Sequence, residues 1–395
     1  MSNHLKSKIT YWLEELKCIF SKRDFTERII RVYDSSDKLV KNKDVLFFKG
    51  LNSYTAFKYP VVKEMLIRSD VFGVSDIHLA LNSIYFSKDE KRHQKNKKTA
   101  LKHLEFLAKE NLSKANDYTN EVFAILFKNI PRNKKVDLNY HLINPIVFIN
   151  AFKELGFFEI YPGLNPLDSN FEYDETIKRI SDYYSDTESL EIELKEHLKN
   201  GGKLPKIMQD LLDEIDDNPD ENELPKFLRS IVFTTIESSA SFLGTFVFIV
   251  FTKYPELLSA SNPEKLHEIA NEVLRIHTPV PFIFRTIRED AFMFNTSFKK
   301  GDLVILFLGA ANMDASVFCN PYAIDLNRSE KHLSFSGGKF ACIGQFASFR
   351  LTMNVFNYLS ERNDILKFYN EPMEFFIHNS MRKMKCINVE INEKS

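Results

Sequence analysis

The sequence predicts a mainly α fold with a minor β portion, in one domain spanning residues 1–395. Three observations carry this. Residues 225–254 read as one long helix, apolar nearly all round and therefore buried. Apolar residues at helical spacing recur through most of the remaining chain. Short alternating or aromatic-rich stretches, Val45–Tyr54 and Phe368–Asn392, supply the strands. The 395 residues are 44% hydrophobic and 27% charged, enough apolar material for a large core. Length alone would suggest two or three domains. Glycine is scarce, however, at 12, and no Pro/Gly/Ser-rich linker divides the chain.

A net charge of −1 makes no general case for nucleic acid or a membrane surface. Cys18, Cys319, Cys342 and Cys386 lie far apart with no C-x-x-C pair, so neither a disulfide framework nor a zinc site is implied. Met1–Phe20 alternates apolar and charged residues, unlike a signal peptide or an anchor. The most apolar run, Phe242–Phe251, is too short to span a bilayer. A soluble, cytoplasmic monomer is expected.

In chain order, residues 3–32 read as an amphipathic helix through Ile9, Trp12, Leu13, Leu16 and Phe20. Val45–Tyr54 is a short strand pair, and Pro60–Arg68 a helix that proline can start. Ser87–His103 carries seven Lys/Arg against two acids. It reads as a solvated helix with His93 and Lys97 on one face. Leu104–Lys128 is helical. Tyr161–Tyr184, with Gly, Pro, Asn and Asp in its first part, fits no single element. Glu188–Lys199 is a surface helix stopped by Gly201–Gly202. Asp210–Glu223 has eight acids and no base, yet lacks calcium-loop spacing and reads as a solvated helix end. Pro225–Tyr254 is interrupted by a polar run, Thr234 to Ser239 apart from Ile236. Gln345–Glu361 is a further helix.

The chemistry centres on Phe335–Gly344, F-S-G-G-K-F-A-C-I-G. Its spaced pattern is Phe335, Gly338, Cys342 and Gly344. At this chain's residue frequencies that pattern arises by chance in roughly 3 × 10⁻⁴ of such chains. It resembles the cysteine-ligand loop of the cytochrome P-450 family, the haem-thiolate monooxygenases. A thiolate can ligate haem iron and push electron density toward oxygen. Glycines let backbone N–H groups turn toward the sulfur, and Phe335 would shelter it. The partial positive charge at the start of the Gln345–Glu361 helix favours thiolate over thiol. One departure stands out: the family usually has His or Arg two residues before the cysteine, where this chain has Phe340.

The resemblance extends well beyond the loop. Glu272-Val-Leu-Arg275 is the family's E-x-x-R, and Arg328 would complete a buried triad with it. Between them and Cys342, His277–Pro281, Arg285, Ala311-Asn312, Asp314 and Asn320-Pro321 keep the family's order and spacing. The resemblance makes 45–58 the small amino-terminal sheet, 70–86 a loop over the substrate, and Val136–Phe157 a core helix pair. It implies that His93, Lys97 and Arg285 hold haem propionates, with His332 a further candidate, and that Val280, Pro281 and Phe282 flank the substrate pocket. The long helix would carry the family's acid–alcohol pair, which assists proton delivery. Here the Ala-Gly pair is absent and serine replaces threonine. Two registers stay open: Ser238 with Ser239, or Glu237 with Ser238.

The implied fold is that of a cytochrome P-450, a triangular prism with haem between the long central helix and the cysteine loop. The implied cofactor is one haem b (iron protoporphyrin IX). The implied reaction inserts one oxygen atom of O2 into a C–H bond of a small organic substrate, by hydroxylation or oxidative O-demethylation. A polar substrate such as a methylated sugar is one case. With no G-x-G-x-x-G, electrons would come from a separate ferredoxin and its NAD(P)H-dependent reductase. Peroxide-driven turnover and non-catalytic haem binding are the alternatives.

Overall fold

The computed structural model describes residues 44–75, 90–109, 112–215, 223–258, 263–378 and 381–393. The expected helix over 3–32 and most of the 70–86 loop lie outside these residues. Strands β1 (Val45–Phe48) and β2 (Ser53–Ala56) pair antiparallel across a turn in which Asn52 takes a φ of 47°. Helix α1 (Tyr59–Ile67) has Pro60 in its first turn, where a missing N–H costs nothing. Strand β3 (Phe72–Val74), helices α2 (Glu90–Lys109) and α3 (Leu112–Asn129), strand β4 (Lys135–Asp137) and helix α4 (Asn144–Glu154) follow. Next come α5 (Tyr173–Ser185), α6 (Thr187–Lys199), α7 (Lys206–Ile215), the long α8 (Glu223–Lys253) and α9 (Pro263–Ile276). Strands β5 (Ile283–Ile287), β6 (Ala291–Met293), β7 (Thr296–Phe298) and β8 (Leu303–Leu306) lead into a single turn, α10 (Leu308–Ala311). Helix α11 (Gln345–Ser360) starts three residues after Cys342, and β9 (Leu366–Phe368), β10 (Phe375–His378), β11 (Met381–Met384) and β12 (Asn388–Ile391) end the chain. The protein is thus mainly α with a minor β portion.

The sequence resemblance made Val136–Phe157 a helix pair; the structure shows a strand, a π-helical turn over Asn139–Ile143 and one α-helix. Val136 pairs with Val389 of β12, and the Asp137 carboxylate accepts the N–H groups of Asn139 (3.0 Å) and Ile387 (2.9 Å). The local bond to Asn139 and the long-range bond to Ile387 fix an extended start before the helix begins. Pro145 falls in the first turn of α4, so it breaks nothing.

Contacts divide the chain into two compact units. One gathers the described residues up to Ser75, Glu264–Cys342 and Ile377–Lys383. Its five-stranded sheet has the order β1-β2-β8-β5-β3, with only β2 and β8 parallel. Strand alternation gives the sheet two apolar faces. Val304 and Leu306 join Val62, Met65 and Leu66 of α1 on one side, while Ile305 joins Phe57, Phe282 and Phe307 on the other.

The second unit is organised on α8. Ala240 through Phe251 are all buried. Phe242 packs edge-on to Phe349 of α11, and Phe246 and Phe251 meet Phe356. A Cβ at Gly244 would lie 2.9 Å from the Asn139 side-chain oxygen, so glycine allows this close approach without displacing it. The Thr234–Lys253 stretch reaches bilayer-spanning length and hydropathy, longer than the Phe242–Phe251 run suggested. It is 78% buried within the protein, and burial in a core explains its apolar character.

Candidate cofactor site

The cysteine loop is built from the backbone upward. Leu333 donates its N–H to the Asn312 side-chain oxygen (2.7 Å), and Ser336 donates to the Leu333 carbonyl (2.8 Å). Ser336 and Gly338 then both take positive φ, 61° and 62°. The Cys342 N–H closes the loop on the Phe335 carbonyl at 2.8 Å. A Cβ at Gly338 would sit 2.6 Å from the Leu66 carbonyl oxygen at the end of α1, so position 338 demands glycine twice over. Phe335 is half-buried, Gly344 precedes α11, and Cys342 is exposed and in no disulfide.

Behind the loop lies a buried ion cluster. Arg275 donates to both oxygens of Glu272 (2.7 and 2.9 Å), and Arg328 Nε donates to Glu272 Oε2 at 3.0 Å. Arg275 also donates to the carbonyls of Asn312 (3.0 Å), Pro321 (2.7 Å) and Ala323 (3.0 Å). Burial alone would raise the Glu272 carboxyl's pKa. Donors from Arg275, the Asp325 N–H and Arg328 outweigh that and hold it below its ordinary value. Asn312 is a second hub, donating to Thr278 and Ser334 hydroxyls at 2.9 Å each. The sequence marked Asn312 only by its place in the spacing; nothing local announced its three partners.

Arg285 sits in β5, its backbone paired with Val74 and Val304. Its side chain is buried at 4% exposure. Nη1 donates to the Phe284 carbonyl (2.9 Å), Nη2 lies 3.5 Å from the Ser336 hydroxyl, and the guanidinium stands 5.2 Å from the Phe340 ring centroid. Among the described residues Nε has no hydrogen-bond partner, and desolvation pulls the group's pKa down to about 10, so it stays charged at neutral pH. No carboxylate among the described residues pairs with it.

His332 does not join Arg285 as a propionate candidate. Its Nδ1 accepts the Ser334 N–H (3.2 Å), which leaves the proton on Nε2 to reach Asn271 Oδ1 (3.2 Å). Both ring nitrogens are committed. Desolvation, outweighing the Glu272 carboxylate, lowers its pKa to about 4. Of the expected pocket residues, Val280 is half-buried and Pro281 buried. Phe282 is 1% exposed inside the apolar cluster with Phe57 and Phe307, which makes it core rather than pocket lining.

In the second unit, His93 is buried on α2 and Lys97, one turn on, is half-buried. The polar run of α8 splits by face. Ser238 is half-buried and donates to the Thr234 carbonyl at 2.6 Å, with Thr234 and Thr235 exposed beside it. Ser239 is buried, its hydroxyl 3.0 Å from that of Ser348 on α11. Glu237 is buried, and its carboxylate adds to desolvation in pushing the Tyr184 hydroxyl's pKa well up.

The donor set fits haem b. An exposed thiol heads a glycine-shaped loop, and a buried guanidinium keeps an unused donor that an anionic propionate would match.

Comparison with known proteins agrees. The family model described as Cytochrome P450 matches residues 263–360. Cytochrome P450(BM-1) of Priestia megaterium is 24% identical over 340 residues, covering 78% of this chain and 80% of the relative. Cytochrome P450 CYP107DY1, also of Priestia megaterium, is 29% identical over 221 residues, covering 54% of this chain and 52% of that protein. Among solved structures, the hydroxylase HmtN of himastatin biosynthesis superposes with a TM-score of 0.68 at 16% identity, covering 89% of this chain and 94% of HmtN. Family proteins of this kind bind haem b. Around its single loop cysteine the chain is thus similar to the cytochrome P450 family of monooxygenases, and its fold is that of solved cytochrome P450 structures.

Proposed function

We propose that this monooxygenase hydroxylates or O-demethylates a small polar organic molecule, drawing electrons from a separate ferredoxin and its NAD(P)H-dependent reductase. The observation that carries the reading is Cys342, exposed at the head of a loop whose backbone is fixed by Phe335, Gly338 and Asn312. Bound haem b would supply the reductive activation of O2 and the transfer of one oxygen atom to a C–H bond. Cys342 would hold the iron, and Phe335, Gly338 and Gly344 would shape the loop around its sulfur. Arg285 would neutralise a propionate, and the resemblance gives His93 and Lys97 that role as well. Glu272, Arg275 and Arg328 would keep the loop's supporting segment in place.

For the proton relay, Glu237 with Ser238 is the favoured register. Ser238 is half-buried beside exposed Thr234 and Thr235 and its hydroxyl donates within its own helix, whereas the buried Ser239 hydroxyl is tied to Ser348 on α11. Ser238 would pass a proton toward the reacting centre, and Glu237 would return it from the interior. The same hydroxyl-rich face supports a polar substrate, because hydroxyls can both donate and accept hydrogen bonds. A methylated sugar losing formaldehyde after hydroxylation is the concrete case. The resemblance supports Val280 as a substrate-pocket residue. We further propose a cytoplasmic monomer in which the whole chain acts as one catalytic domain.

Difference spectra against a panel of sugars, methylated sugars, terpenes and polyketides test the substrate class. A low-spin to high-spin shift only with apolar ligands would reject a polar substrate. The Thr234-Thr235 pair, where the family has Ala-Gly, favours one second reading, turnover driven by peroxide. Peroxide alone matching the rate with NADH, ferredoxin and reductase would establish it.

A further inference from the structure

The Cys342 loop contributes an aromatic ring as well as a thiol. Phe340 ends the short helical turn Gly338–Phe340 and places its ring under the Arg285 guanidinium, 5.2 Å from centroid to Cζ. That distance lies within cation–π range, where desolvation strengthens the attraction. The Arg285 backbone is fixed by pairing on both sides, to Val74 and to Val304. Its side chain still has several rotatable bonds, and among the described residues its hydrogen bonds are one at 2.9 Å to its neighbour's carbonyl and one at 3.5 Å to Ser336. Phe340 and Ser336 belong to one loop, the ring lying against the guanidinium and the hydroxyl at its edge. The ring takes none of the N–H donors, so Nε stays available.

We infer that Phe340 is a positioning residue, holding the buried Arg285 guanidinium over its ring so that the unused Nε donor meets a carboxylate of the bound cofactor. The loop that supplies the thiolate thereby also sets the charge near the porphyrin. A cation at position 340 would repel Arg285 at this distance; an aromatic ring attracts it. This inference rests on the haem reading above and deepens it.

The test uses purified haem-loaded full-length protein whose reduced, carbon monoxide-treated form shows the thiolate-type Soret band. Phe340→Leu keeps apolar bulk but removes the ring face. It should speed haem transfer to an excess of apomyoglobin about fivefold. It should also move the midpoint potential negative, because a less fixed cation stabilises ferrous haem less. Phe340→Tyr, which keeps the ring, should restore both. In an Arg285→Gln background, Phe340→Leu should change neither further. An unaltered potential in Phe340→Leu, with or without faster haem loss, overturns the inference. So does an equal shift in the Arg285→Gln background. If Phe340→Leu does not fold, Phe340→Met in the same cycle decides by the same criteria. A wild-type protein lacking the thiolate Soret band would instead overturn the haem reading itself.

Discussion

The hydroxyl oxygens of Ser239 and Ser348 lie 3.0 Å apart, tying α8 to α11. Ser239 is therefore engaged in holding two helices together, while its neighbour Ser238 faces the open side of α8 beside Thr234 and Thr235. Ser238→Ala is expected to lower product formed per O2 consumed by about tenfold or more. Ser239→Ala should hold that ratio within about twofold and cost about 1 kcal/mol of stability. Measuring oxygen uptake, peroxide release and product together checks this; the reverse ranking would return the relay to Ser239.

Removing one partner of the buried ion cluster leaves a charge uncompensated. Arg275 is 1% exposed, and it is wrapped by Glu272 and three carbonyls. Glu272→Gln should destabilise the protein by about 3–5 kcal/mol. Urea unfolding followed by far-UV circular dichroism reads it, and a loss below about 1 kcal/mol would contradict a structural role.

At Gly338, alanine would need a φ near +62° and a Cβ only 2.6 Å from the Leu66 carbonyl oxygen. Gly338→Ala should cost about 1–3 kcal/mol through strain and the shift it forces on the loop. It should also lower haem content on purification. Gly201, which also has positive φ but open space around a Cβ, is the control: its alanine variant should keep full haem content.

Acid should destabilise the fold through several groups, among them Glu272, His332 and the desolvated His277, lowered to about 3. The Glu272 carboxyl is held below its ordinary value, so its contribution is present above the unfolded-state pKa and lost as pH falls through the folded one. His332 is lowered to about 4 from 6.5. The unfolded state then binds more protons between those values, and stability falls as pH drops from about 6.5 toward 4, by up to about 3 kcal/mol. His332→Gln should flatten the pH 4–6.5 part of the curve. An unchanged slope in that variant would show that His332 titrates normally in the folded protein.

Cys342→Ser should abolish the thiolate-type Soret band of the reduced, carbon monoxide-treated protein, because a hydroxyl is far less acidic and softer metal ligation is lost. The secondary structure should persist, since the loop is closed by the backbone bond from position 342 to Phe335 and not by the sulfur. A retained thiolate band would exclude Cys342 as the ligand.

The chain's local patterns determined much of this architecture. The long apolar helix, the helix started at Pro60, the stop at Gly201 and the terminal strands follow from side-chain periodicity and backbone preferences that act within a few residues. The one-turn spacing of Glu272 and Arg275 is equally local, as is the glycine-bracketed cysteine. What tertiary structure alone decided are contacts between residues far apart in sequence: Arg285 over Phe340, His332 with Asn271, Ser239 with Ser348, and Val136 paired to Val389. Each of these turns on which partner is nearby when a polar or aromatic group leaves water. A histidine with both nitrogens engaged reads the same in sequence as one awaiting an anion, and only its folded surroundings separate the two.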